Sequence, residues 1–223
     1  MNTPWTRTRK GTVGWPWIGL LILGTVAVPR GSTWGQSVAG RGVAARLNTP
    51  ATGTQVFARA VLPAGGGMVH AELDTVGAAN TLGAAGLTSI VTGQVDQALV
   101  SVTATAEAAD VDILNGLITA KSVLALATSY ANGTSAWSEA EGSTLLSLVI
   151  AGTAYPDGAP APNTRVDLPG VGYAVLNEQI ARGDGLQSAG LTVNMIHVYL
   201  LDPVSGAAAG EIVVGAATST ATL

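Results

Sequence analysis

The chain has 223 residues, of which 10 are Lys or Arg, 14 Asp or Glu, 2 His and none Cys. Charged residues make up 11%, under half of the roughly 25% usual in soluble domains. The missing cysteine and the missing basic excess exclude a disulfide scaffold, a thiol nucleophile, a thiolate metal cage and an electrostatic footprint for nucleic acid. Apolar content is 48%, but it is built from small groups: 37 Ala and 29 Gly leave 66 of 223 positions with a methyl group or nothing. Val, Leu and Ile are still too many for a disordered acidic chain.

In chain order, the first segment reads as a secretory leader. Arg7, Arg9 and Lys10 precede the uncharged stretch Trp15–Val28, 14 residues long, short of the ~20 that a membrane-spanning helix needs. Small residues follow. Ser37-Val38-Ala39 fits the small-x-small cleavage rule best and Thr33-Trp34-Gly35 is the second option, so the leader is residues 1–35 with its cut somewhere between 30 and 39. An uncleaved anchor is the alternative. The remainder, 36–223, carries six Lys and Arg against fourteen acids, a formal charge of −8, and one tryptophan, Trp137. A secreted chain without cysteine holds together by packing and backbone pairing alone. Its length suits one domain.

Gly77–Ile90 is the one stretch with helical character, being rich in Ala, although Gly83 and Gly86 interrupt it. From Val100 the pattern is period two: Val100, Val102, Ala104 and Ala106 fall on one face, Ser101, Thr103, Thr105 and Glu107 on the other. Asn115-Gly116 between Val111–Leu114 and Leu117–Ala120 predicts a hairpin with a type I′ turn. Ser122–Ser129 suits a strand covered on both faces, and Leu145–Ala154 a long apolar strand ending at Tyr155-Pro156-Asp157-Gly158. The loop Pro160–Thr164 cannot extend a sheet. Three further strands, Gly172–Gln179, Leu191–Leu201 and Glu211–Thr218, are separated by turn clusters at Arg182–Gly185 and Asp202–Gly206. The fold class is therefore mainly β, an antiparallel β-sandwich or barrel-like domain following the cleavable leader.

Residue by residue, catalytic and metal signatures fall away. His70 and Glu72 share a strand face without a third ligand, and His197 sits in an apolar strand. Asp110-Val111-Asp112 begins like a calcium loop but has Leu114 at the fifth position, where that loop needs Asp or Asn. There is no G-x-S-x-G elbow, and Gly65-Gly66-Gly67 lacks the Lys of a phosphate cradle. Asn132-Gly133-Thr134 is a formal glycosylation sequon. No catalytic residue, metal site or cofactor is expected.

The most specific pattern lies in Asn163–Gly170, Val175-Leu176-Asn177-Glu178-Gln179, Leu191-Thr192-Val193-Asn194-Met195-Ile196-His197-Val198 and Gly210-Glu211-Ile212-Val213-Val214-Gly215-Ala216-Ala217, with Leu114–Ala120 upstream. This succession closely resembles the secreted bacterial proteins of the choice-of-anchor P family. The resemblance implies an exported, β-rich surface domain and brings no catalytic residues with it.

Two function classes follow as expectations. The first is a non-enzymatic structural protein of the cell exterior that assembles with copies of itself or with other surface proteins, into filaments or a layer. Strand addition suits a small-residue chain. The donors would be Val38–Asn48 as a free strand and Glu211–Leu223 as an exposed edge, with Val38, Val43, Leu47, Ile212 and Val214 as the exchanging side chains. The second is a surface binding module for a glycan or partner protein, which calls for Tyr130, Trp137 and Tyr155 exposed on one face. A hydrolase would instead need His70 or His197 in a pocket beside acids.

Overall fold

Thr, Ser, Val and Ala alternating at period two favour extended backbone over helix, and the fold follows that preference. The computed structural model describes residues 35–223, where every regular element is a strand; the segment expected to be a leader, residues 1–35, lies outside the described residues except for Gly35. The first six strands are long: β1 Ser37–Thr49, β2 Gly53–Val61, β3 Gly67–Ala78, β4 Leu82–Val95, β5 Val100–Ile113 and β6 Ile118–Ala131. Four short ones follow, β7 Ala136–Glu139, β8 Thr144–Leu146, β9 Val149–Ile150 and β10 Thr153–Ala154. The chain ends with β11 Thr164–Leu168, β12 Gly172–Gly183, β13 Ser188–Leu201 and β14 Ala208–Thr222. All pairings are antiparallel. A six-stranded sheet runs β11-β12-β13-β14-β1-β2, and an eight-stranded one runs β10-β9-β6-β5-β4-β3 with β7 and β8 also on β6. β14 packs on β5 and β6, and β1 on β4 and β5, so the molecule is a β-sandwich.

Three local expectations change. Gly77–Ile90 is a hairpin, the end of β3, a turn at residues 79–81 and most of β4, because Leu82 and Ala84, then Leu87, Ser89 and Val91, bury one face of β4. Leu145–Ala154 is cut into β8, β9 and β10 by left-handed backbone at Ser147, Ala151 and Gly152, and the Asp157 carboxylate fixes the first break by accepting the Ser147 N–H at 2.7 Å. The Asn115-Gly116 hairpin forms, but its loop has four residues, with Leu114, Asn115 and Gly116 all left-handed, in place of a two-residue type I′ turn.

The abundance of Ala and Gly acts between the sheets. Ala104, Ala106, Ala108, Ala125 and Ala127 are fully buried on the inner face of the larger sheet. Gly40 and Gly42 approach the same sheet from β1: Gly40 lies against Val91 and Val102, and a Cβ on Gly42 would stand 2.5 Å from the Thr105 carbonyl oxygen. The core layer is thin because side chains there would collide. One hydroxyl relay spans it: Ser129 Oγ lies 2.7 Å from Ser219 Oγ of the opposite sheet and 2.8 Å from Ser138 Oγ.

The six-stranded sheet also carries a crease. Asn177, Met195, Gly215, Ala44 and Ala58 occupy one row across β12, β13, β14, β1 and β2, between ladder pairs that stay in register. On alternate strands the row is left-handed, with φ of 48° at Asn177, 67° at Gly215 and 45° at Ala58. Each strand slips its in/out alternation by one residue there. In β13, Met195 and Ile196 both turn inward, so Asn194 and His197, three apart, both face out. Gly215 suits its position twice over: its φ favours glycine, and a Cβ would meet Val123 Cγ1 at 2.8 Å.

Candidate binding face of the six-stranded sheet

The polar side chains that the crease turns outward form one connected network. Glu178 on β12 is its hub. One carboxylate oxygen accepts from His197 Nδ1 and from Asn194 Nδ2, each at 2.7 Å, and the other accepts from the Tyr199 hydroxyl at 2.6 Å. The far ring nitrogen of His197 meets Glu211 on β14 at 3.1 Å, and Glu211 pairs with Arg46 on β1 at 3.0 Å. Both His197 nitrogens face carboxylate oxygens, which only accept, so both contacts are complete when both nitrogens carry a proton. The His197 side chain is 7% exposed and that of Glu178 13%. The hydrogen bond from His197, reinforced by those from Tyr199 and Asn194, outweighs burial and holds the Glu178 carboxyl down to about 2. Burial and the adjoining Glu178 carboxylate push the Tyr199 phenol well above the usual range, keeping it a donor.

Planar groups extend the network toward the sheet edge. His197 stacks on Tyr199 with ring centroids 3.9 Å apart, Tyr199 on Tyr173 at 4.7 Å, and the Arg165 guanidinium lies 3.9 Å from the Tyr173 ring centre. On the other side of the network, Arg41, Arg46 and Arg59 border a hollow of about 250 Å³ whose apolar lining is Val43, Val56 and Ala216. Four of the six Lys and Arg residues in 36–223 therefore stand on this face.

Sequence reasoning missed this constellation. It arises where Asn177-Glu178, Asn194–His197 and Glu211–Gly215 come side by side, and those are the segments singled out above as most specific. Their polar residues were the available signal. The side chains expected to exchange between molecules sit inside the sheet. Leu47 pairs with Ile212, Val38 with Ala221 and Ala45 with Val214, so β1 and β14 run together in the middle of the sheet. Neither is a free strand nor an exposed edge: Val38, Leu47, Ile212 and Val214 lie in the core, and Val43, 5% exposed, lies under the arginine hollow. The physical reason is that the short turn at Pro50–Thr52 folds β1 onto β2, leaving its other edge open for β14.

Other sequence candidates fall in separate places. His70 and Glu72 lie exposed on the edge strand β3. Asp110 pairs with Lys121, and Asp112 accepts the Gly116 N–H, so both serve the hairpin. Among the described residues no group of three or more His, Asp or Glu is placed to hold a metal ion. Tyr130 stacks on Trp137, which is 42% exposed, on the other sheet; Tyr155 packs against the core and does not join them. Asn132 is exposed, and its side-chain oxygen caps the turn after β6. Among the described residues no helix is long and apolar enough to cross a membrane.

Comparison with protein-family models, curated protein sequences and solved structures finds no match to this chain.

Proposed function

We propose that the protein is an exported, non-enzymatic β-sandwich of the cell exterior that binds a surface partner through the outer face of its six-stranded sheet. One observation carries this reading: the aromatic stack, the glutamate–histidine network and the arginine hollow lie side by side on that face. A rigid, polar and aromatic surface is what recognition uses. His197 supports a positioning role over a catalytic one, since both its nitrogens are already engaged. Export follows from the leader. A cut after Ala39 would remove Val38, 2% exposed, and three β1–β14 pairs, whereas a cut after Gly35 leaves β1 whole.

The test is co-sedimentation of the protein with isolated cell envelopes. Wild-type protein is expected to pellet with them, and Tyr173→Ala to weaken this about tenfold, as loss of an aromatic anchor does. Tyr173→Phe should bind normally. Wild-type protein that stays in the supernatant would overturn the reading.

Self-assembly is the second reading, favoured by a different strand from those first expected. β3 is a 12-residue edge strand paired on one side only, with Met68 67% and Leu73 39% exposed, the profile of a strand-addition site. Negative-stain microscopy at high protein concentration is expected to show ordered chains under this reading. Monodisperse particles would sink it.

A further inference from the structure

Three arginines meet in the hollow where β1, β2, β13 and β14 come together, and nothing acidic lines it. Arg41 on β1 and Arg59 on β2 are near-diagonal neighbours, because Val43 pairs with Arg59 and Arg41 with Val61. Neither makes a salt bridge among the described residues, and Arg46 spends one nitrogen on Glu211 at 3.0 Å. This is costly. Burial, then the like charges of Arg46 and Arg59, weaken the hold of Arg41 on its proton. It is also against the trend of the molecule, since residues 36–223 hold fourteen acids for six Lys and Arg. Of the fourteen carboxylates, Glu211 pairs with Arg46 from beside the hollow, and none lines the hollow itself between Arg41 and Arg59.

The rest of the lining fits the same chemistry. Thr54, Thr192 and Thr218 line the hollow too. Thr54 donates to Asn48 and Thr192 is bonded to Thr218, so their hydroxyl oxygens still have lone pairs to accept from a ligand. Val43, Val56 and Ala216 supply the apolar part. At about 250 Å³ the space falls below the roughly 300–1,000 Å³ of clefts that enclose whole small molecules. It has room for one unit of a longer ligand. Guanidinium groups recognise carboxylate, sulfate and phosphate by paired, charge-assisted hydrogen bonds. The hydroxyls suit the polyol of a sugar, and the Tyr173–Tyr199 stack farther along the same face suits the flat side of another sugar unit.

We infer that Arg41, Arg46 and Arg59 form a binding site for an acidic sugar unit, a uronate or a sulfate ester, within an extracellular polysaccharide. This rests on the reading of the six-stranded sheet as a binding face and names what that face binds.

The experiment measures binding of the full-length protein to polygalacturonate, dextran sulfate, neutral dextran and poly-glutamate at two salt concentrations. Polygalacturonate or dextran sulfate should bind, the stronger of the two distinguishing carboxylate from sulfate, and binding should weaken as salt rises. Arg41→Gln/Arg59→Gln should reduce it at least about tenfold, the loss of two charge-assisted contacts, with the urea midpoint unchanged or raised by relief of charge repulsion. If that midpoint falls, Thr218→Trp, which fills the hollow and keeps all three charges, should give the same loss of binding. Polyanion binding equal in wild type and both variants overturns the inference, as does binding of poly-glutamate without the acidic sugars. If envelopes pellet the protein in a Tyr173-dependent way while the acidic polymers do not bind it, the inference falls and the binding-face reading stands. If neither envelopes nor polymers bind, both fall.

Discussion

Gly42→Val is expected to leave the two sheets unable to close. The first added carbon already stands 2.5 Å from the Thr105 carbonyl oxygen and 2.9 Å from Ser89 Cβ, both fixed parts of the opposite sheet. Neither can swing aside as the end of a long side chain would. The strand cannot retreat either, because β1 is held by β14 on one edge and β2 on the other. Overpacking a tight core by one or two carbons costs about 1–3 kcal/mol when neighbours can yield. Here the neighbour is backbone, and the loss should exceed 3 kcal/mol, a large share of the ~5–15 kcal/mol that holds a domain folded. Chemical denaturation checks it: Gly42→Val should be unfolded or shifted to a much lower urea midpoint, and Gly42→Ala should fall between it and wild type. A wild-type midpoint for valine would mean that the sheets are not packed as described.

Glu178→Gln is expected to have the second largest effect, and one that depends on pH. The folded state holds the Glu178 carboxyl down to about 2 from 4.5. A depressed carboxylate contributes stability that is fully present above its unfolded value and lost as pH falls toward its folded value. The contribution should therefore be intact at neutral pH and disappear between about pH 4.5 and 2. A shift of that size corresponds to at most ~3 kcal/mol. Urea midpoints measured from pH 7 down to pH 2.5 should show wild type well above Glu178→Gln at the start and converging with it at the end. Comparing the two chains isolates this residue from Asp184, whose carboxyl backbone N–H groups also hold down to about 2, first among them that of Ser188. Parallel curves would place the stabilisation elsewhere.

The strands were legible in the sequence because side-chain alternation is local. Val100, Val102, Ala104 and Ala106 do bury one face of β5, and the three C-terminal strands lie where the turn clusters put them. Breaks made by non-glycine residues were not legible. Nothing in the composition of Leu145–Ala154 announces left-handed backbone at Ser147 and Ala151. The same holds for the crease, which uses Asn177 and Ala58 besides Gly215. Without the crease, alternation assigns Asn194 and His197 to opposite faces, so the network around Glu178 stayed hidden although Glu178, Asn194, His197 and Glu211 stood in segments already marked as specific. The arginine hollow was out of reach for another reason: Arg41, Arg46 and Arg59 converge with Asn194 and Thr218 only once β1 has paired with β2 and with β14. Strand order across a sheet is a long-range property, and the sequence pattern is short-range.

The crease sets a rule for what this sheet can tolerate. Five strands change phase on a single line, so each is written in two reading frames, one on either side. Removing Met195 alone would leave β13 alternating, with Asn194 out, Ile196 in and His197 out, but one residue short of β12 and β14, so that its pairs with Glu178 and Ala216 and those with Leu176 and Val214 could not all form. Insertions and deletions in these strands can therefore survive only in pairs that restore the offset, or in the loops beyond.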